Sequence, residues 1–164
     1  MTADSSEPAK IKLRRLRRDD SDLAEVAGQL NRTEEWEDFD NRFSAHSLSE
    51  FLQDEDHIYL LAYVGSDLAG AAHAYLLQHP AGHLVVYIDE VDTAKPHRRQ
   101  GVATALMNEL LLWSRKRGAK EAWLGTEDDN EPAKALYRKL NPHEEELGWI
   151  FTYNTEPESS VQRR

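Results

Sequence analysis

The sequence predicts a mixed α/β fold. It has a central sheet, antiparallel in its early strands and parallel around one strand–helix–strand crossover, with helices on its flanks. Three observations predict it. Hydrophobic runs at 57–64, 68–77 and 84–93 are joined by the short turns Gly65-Ser66-Asp67 and Pro80-Ala81-Gly82, the signature of a meander. Gly101–Arg117 has helical periodicity and leads into Lys120–Gly125 (KEAWLG), so strand, helix and strand close a right-handed parallel crossover. A chain of 164 residues with 40% hydrophobic content is also long enough to bury one sizeable core.

Taken in order, residues 1–9 are polar and patternless and read as disordered, 10–154 as a single domain, and 155–164 as a loose tail. Ile11, Leu13 and Leu16 suggest a short first strand, its arginines Arg14, Arg15, Arg17 and Arg18 largely solvated along a charged edge. Asp19, Asp20 and Ser21 offer N-caps to a helix whose apolar face is Leu23, Val26, Ala27 and Leu30. Residues 32–46 break the periodicity and mix acids with Trp36, Phe39 and Phe43. Ser47-Leu48-Ser49-Glu50 then has the form of a capping box opening a second short helix. After the meander, the 101–117 helix turns Val102, Leu106, Leu110 and Trp113 inward and ends at Gly118. A last helix runs from Glu131 to Leu140, with Pro132 in its first turn and Asn141-Pro142 ending it. Residues 143–153 read as a final strand. The order is β-α-α-β-β-β-α-β-α-β.

Composition removes several classes of function. A net charge of −10 and a pI near 5.1 argue against a nucleic-acid partner and suit a cationic one. With no cysteine, disulfides, thiolate metal sites and a cysteine-linked acyl-enzyme are excluded. The seven histidines are scattered without ligand spacing, so no metal is expected. No apolar stretch approaches the roughly 20 residues of a membrane span, and no apolar signal core is present. A cytoplasmic protein without a membrane partner is the expectation.

The chemistry concentrates at His97-Arg98-Arg99-Gln100-Gly101-Val102-Ala103-Thr104-Ala105-Leu106-Met107, a basic turn between a strand and a helix. Helix N-termini present unpaired N–H groups and the positive end of the dipole, arginines add charge, and Gly101 lets a pyrophosphate approach the backbone. A solvated arginine turn capping an ordinary helix is the alternative. Upstream, Glu90 and Asp92 share a strand face unless a bulge intervenes, and paired carboxylates raise one pKa toward a useful value. They are read either as acids of a site or as solvated strand-end residues. Around Trp36, the acids Glu34, Glu35, Glu37, Asp38 and Asp40 make a loop suited to a polyamine, with cation–π contact from the rings; a solvated loop with anchoring aromatics is the alternative.

The spacing Arg98-x-x-Gly101-x-Ala103 resembles the acyl-CoA signature of the GNAT superfamily of N-acyltransferases. The set YIDEVDT, HRRQGVATALM and DDNEPAKALYRKL is similar to its aminoglycoside 3-N-acetyltransferase branch. The likeness is good over about residues 75–140 and thin before residue 55. It implies acetyl-CoA as acyl donor, with Val91, Asp92 and Thr93 along the pantetheine arm. Arg98, Arg99, Gln100, Gly101, Val102, Ala103 and Thr104 would hold the pyrophosphate, and Asn130 would contact the cofactor. Tyr137 stands where the family often places a general acid, and the Val91 N–H would support the oxyanion. Glu90 is implied as base or amine contact, and Trp36, Glu37, Asp38 and Asp40 as acceptor pocket. Asp92 departs from the small neutral residue usual there, and Asn141-Pro142 from the usual Leu-Gly. A tyrosine on an apolar helix face beside Leu136 and Leu140 is also an ordinary core residue.

The reading is direct acetyl transfer to a cationic amine, an aminoglycoside at its 3-amino group. Alternatives are a polyamine or other small amine as acceptor, or a non-catalytic acetyl-CoA-binding regulatory module. Homodimers are common in the family, though nothing here marks an interface.

Overall fold

The computed structural model describes residues 10–32, 36 and 42–155, in two units, Met1–Glu127 and Asp128–Arg164. In the first unit the apolar runs become strands within the bounds their turns set. β1 (Ile11–Arg15), β2 (His57–Val64), β3 (Asp67–Gln78), β4 (Leu84–Thr93) and β5 (Glu121–Trp123) form one sheet in the order β1-β2-β3-β4-β5. All pairs are antiparallel except β4 with β5, which the crossover makes parallel. The predicted sheet and crossover therefore stand. β5 is shorter than expected and pairs only Val85–Tyr87 with Glu121–Trp123.

Helices cover both faces. α1 (Leu23–Leu30) buries the predicted stripe Leu23, Val26, Ala27 and Leu30, and with α2 (Ala45–Phe51) it packs over Tyr59, Leu61 and Ala71. α3 (Val102–Lys116) buries Val102, Leu106, Leu110 and Trp113 on the other face. Side chains alternate along a strand, so Ala71 meets the first layer and its neighbour Gly70 the second. A Cβ on Gly70 would lie 2.5 Å from Val102 Cγ1 and 2.9 Å from the Asp92 carbonyl oxygen. Only glycine lets α3 sit this close to the strands. Among the described residues no helix is long and apolar enough to cross a membrane.

Several local expectations are corrected. α1 is entered at Asp22, whose carboxylate makes no cap and instead accepts 2.6 Å bonds from Arg14. Arg14 also holds Asp20 at 2.9 Å, so it is a half-buried clamp between β1 and the α1 entry, not a solvated edge residue. Arg15 is likewise half-buried, its guanidinium 5.9 Å from the Trp113 ring centroid. The capping box of α2 is one turn earlier than predicted, between Ser44 and Ser47, because the Ser47 hydroxyl accepts from the Ser44 N–H.

The second unit holds α4 (Glu131–Lys139), with Leu140 as its C-cap and Asn141 after it at a φ of 58°. The strand expected at 143–153 does not form. Among the described residues no strand pairs with it, and an extended segment without a ladder partner gains nothing for its backbone groups. Leu147, Trp149, Ile150, Phe151 and Tyr153 there are exposed.

Candidate active site

The site begins at a register shift. His73 of β3 pairs with Glu90 and Ala74 with Ile88, which leaves Asp89 as an extra residue in β4. The bulge aims two carboxylates at one imidazole: Asp89 Oδ2 lies 3.0 Å from His73 Nε2, and Glu90 Oε2 lies 3.7 Å from Nδ1. From Glu90 to Thr93 the register runs without a further shift. Glu90 and Asp92 therefore do share a face, and they are hydrogen-bonded to each other.

Burial and the neighbouring acids set the charge state. The Glu90 carboxyl is pushed up to about 8, first by burial, then by the charge and hydrogen bond of Asp92 and the charge of Asp89. Asp92 is also raised, chiefly by burial, while Glu90, His73 and Arg98 act in the opposite direction. The pair thus holds a proton into the neutral range. Burial, together with Glu90 and Asp92, pushes the Tyr59 hydroxyl far up, so it stays a phenol. Tyr75 and Tyr87 are raised as well, by burial and by Asp89, which their hydroxyls reach.

These groups border a cavity of about 480 Å³ between α2 and the sheet. Asp89, Glu90 and His73 line it together with the rings of Phe43, Phe51, Tyr59 and Tyr75. The Phe51 ring stands edge-on to Tyr59, His73 and Tyr75 at 6.0, 5.6 and 5.6 Å, and Tyr59 stacks on His73 at 5.5 Å and 9°. Ring faces beside carboxylates suit a cation with apolar carbons.

Beyond Tyr87, the side of β4 facing β5 has no strand partner among the described residues. Val91, Asp92 and Thr93, half-buried, lie on this open stretch. The chain then makes a short 3-10 helix, Lys95–His97, and enters α3 through Arg99 (φ 62°) and Gly101 (φ 87°). Gly101 is the N-cap and has no side chain to cap the first-turn N–H groups, while Val102 is buried and Arg98, Arg99 and Gln100 are exposed. Gln100 donates to the Pro96 carbonyl at 3.1 Å, which fixes the turn.

A model of the acetyltransferase (GNAT) family matches residues 29–141. The chain belongs to this family. It is 32% identical to the streptothricin acetyltransferase of Streptomyces lavendulae over 74 residues, 45% of this chain and 38% of that protein. It therefore spans less than half the length of that relative. An aminoglycoside acetyltransferase from an uncultured soil metagenomic sample, solved with sisomicin, superposes with a TM-score of 0.75 at 20% identity, covering 88% of this chain and 95% of the other. A second soil-metagenome aminoglycoside acetyltransferase gives 0.70 at 27% identity, covering 88% and 99%.

GNAT acetyltransferases use acetyl-CoA. The donor set at the α3 entry fits it: uncapped first-turn N–H groups, a left-handed glycine and exposed arginines suit a pyrophosphate. The open stretch of β4 leaves backbone groups for an amide-bearing arm.

Of the predicted residues, the fold sets Glu90 and Asp92 on one face of β4, Glu90 alone lining the cavity, and Val91 to Thr104 along one continuous path. Asn130 and Tyr137 belong to the second unit, where the Asn130 side chain accepts from the Ala133 N–H at 3.2 Å as N-cap of α4 and Tyr137 is half-buried. Trp36 is 2% exposed and belongs to the core cluster with Leu30 and Leu48, outside the residues that line the cavity. Glu37, Asp38 and Asp40 lie outside the described residues. Sequence reasoning missed His73, Asp89, Phe51, Tyr59 and Tyr75 as site residues. The period-2 spacing His57, Tyr59 and His73, Tyr75 is the signal that marks them as one face of a polar-aromatic sheet.

Proposed function

We propose that this protein transfers an acetyl group from acetyl-CoA to an amine of a polycationic small molecule of the aminoglycoside type, with the 3-amino group of the central ring as acceptor. The observation that carries this reading is the half-buried Glu90 in a cavity of about 480 Å³ walled by carboxylates and aromatic rings. Asp89 and Glu90 pair with ammonium groups, and Phe43, Phe51, Tyr59 and Tyr75 cover the carbon framework. Glu90, held near 8, removes a proton from the reacting ammonium and leaves the lone pair free to attack.

Acetyl-CoA, when bound, supplies an activated thioester acetyl group. Arg98, Arg99, Gln100, Gly101 and the N–H groups of Val102, Ala103 and Thr104 hold its pyrophosphate. Val91, Asp92 and Thr93 bind its arm, and Asn130 adds a contact. The Val91 N–H offers a donor to the developing oxyanion, and Tyr137 holds a phenolic proton for the departing sulfur. Asp92, although unusual at such a position, keeps Glu90 from ionising too early.

The 32% match to streptothricin acetyltransferase favours one further acceptor of the same cationic class. The test is thiol release from acetyl-CoA against aminoglycosides, streptothricin, polyamines, arylamines and peptides, with NMR of the product to locate the acetyl group. Turnover confined to polycationic antibiotics, with acetyl on the 3-amino group, is expected. Acetyl-CoA binding with no turnover on any amine would leave a regulatory module as the better reading.

A further inference from the structure

One group in the cavity wall plays no part in the catalytic reading above. His73 stands opposite Glu90 in the β3–β4 ladder, with its side chain 14% exposed, and touches a carboxylate at each end of its ring. We infer that His73 is a positioning residue for Glu90: it orients the Glu90 carboxyl and carries the acceptor amine's proton from it to Asp89 at the cavity mouth. The inference rests on the reading of Glu90 as the base.

The ring is held on every side. Tyr59 of β2 stacks on it, Phe51 of α2 and Tyr75 of β3 stand edge-on, and β4 presents Asp89, Glu90 and Asp92. Asp89 Oδ2 at 3.0 Å accepts a hydrogen bond, so the proton sits on Nε2 and the bare lone pair of Nδ1 looks toward Glu90 Oε2. On that side Glu90 Oε2 lies 3.7 Å away, and catalytic contacts of this kind tighten when substrate binds. Asp89, with its side chain 39% exposed, reaches water.

A route out is needed because the acceptor fills the cavity over Glu90, and Asp92 on its other side is itself drawn to a proton. The transfer balances. The ammonium N–H breaks as Glu90 Oε2–H forms; that O–H then breaks as Nδ1–H forms, and the Nε2 proton passes to Asp89 and on to water. Once the product has left, water in the emptied cavity takes the Nδ1 proton as water at the mouth returns one to Nε2, which restores the Nε2–H form.

The test uses the full chain with the acceptor found above. His73→Gln, which keeps a donor near Asp89 but cannot relay, is expected to lower kcat about tenfold or more while both KM values stay within about twofold. Imidazole in the buffer is expected to restore part of kcat to His73→Ala and none to Glu90→Gln. Wild-type kcat in His73→Gln across the pH profile, or no rescue of folded His73→Ala, overturns the inference. A second readout needs no turnover: ¹⁵N NMR of the imidazole should show the Nε2–H tautomer, with Nδ1 shifting on Glu90→Gln. An Nδ1–H tautomer, or an unmoved resonance, overturns it as well. Absence of amine-dependent turnover in the wild type would instead sink the function, leaving the NMR result to judge His73.

Discussion

Glu90 and Asp92 point the same way from β4, two residues apart, and share a hydrogen bond that keeps a proton between them. The free-base form of Glu90 therefore grows as pH rises through about 8. The acid limb of kcat/KM is expected to follow, rising through that range and levelling above it. Glu90→Gln is expected to lower kcat/KM by roughly 10²–10⁴-fold and to abolish that limb. A pH–rate profile with saturating acetyl-CoA measures both, and an unchanged limb in Glu90→Gln would remove this residue as the base.

Asp92 raises Glu90 through charge and hydrogen bond together. Asp92→Asn removes the charge, so the acid limb is expected to move to lower pH and the variant to retain more of its maximal rate below about pH 7. The same profile reads it. A limb that stays in place would mean that burial alone sets Glu90.

The same pair weakens the fold at alkaline pH. The Glu90 pKa is raised on folding, from the usual 4.5 to about 8. Its contribution to stability is full below the unfolded value and is lost as pH rises through the folded one. Thermal melts should thus decline from about pH 5 to about pH 8 and level off above it, more steeply for the wild type than for Glu90→Gln. Because Glu90 is one-third exposed, solvent screens the effect; Glu90→Gln should gain about 1 kcal/mol near pH 9, a shift of roughly 2–4 °C. Parallel melting curves would contradict the assignment.

The sheet and the basic turn were legible because local pattern determines them. The bounds of β2 and β4 match their apolar runs, and Gly101 supplies the left-handed φ of 87° at the α3 entry, which glycine adopts without steric cost. The i, i+2 relation of Glu90 and Asp92 was legible up to the question of a bulge, which falls one residue before the pair and spares it. His73 and Asp89 were not, since their meeting depends on cross-strand register and on that bulge, neither of which leaves a local trace. Trp36 failed for another reason: an aromatic among acids reads equally as pocket or anchor, and only its place in the core cluster with Leu30 and Leu48 decides. The segment 143–153 shows the limit of periodicity, which marks what favours a strand without supplying a partner for it.

Gly70 ties the sheet to the α3 entry. An added Cβ there meets Val102 Cγ1 at 2.5 Å, the Asp92 backbone oxygen at 2.9 Å and Leu106 Cδ1 at 3.0 Å. A backbone oxygen cannot swing aside as a side chain can, so Gly70→Ala should destabilise by about 1–3 kcal/mol. Because the displaced atoms belong to β4 and the first turn of α3, KM for acetyl-CoA should rise along with the loss of stability. Denaturant melts and acetyl-CoA titration measure the two effects, and a variant of wild-type stability would show that the helix gives way freely.

Tyr137→Phe separates the phenolic proton from everything else the ring does. The residue is half-buried on α4, and phenylalanine keeps the ring volume and the helix propensity, so the second unit should keep its packing. If the hydroxyl protonates the departing thiolate, its loss acts on the transition state and hardly on binding. Turnover should then fall by about 10²-fold or more, with acetyl-CoA affinity within about twofold. Steady-state thiol release gives the first quantity and calorimetry with CoA the second. Loss of affinity in step with rate would make Tyr137 a binding residue, and unchanged turnover would return the acid to solvent.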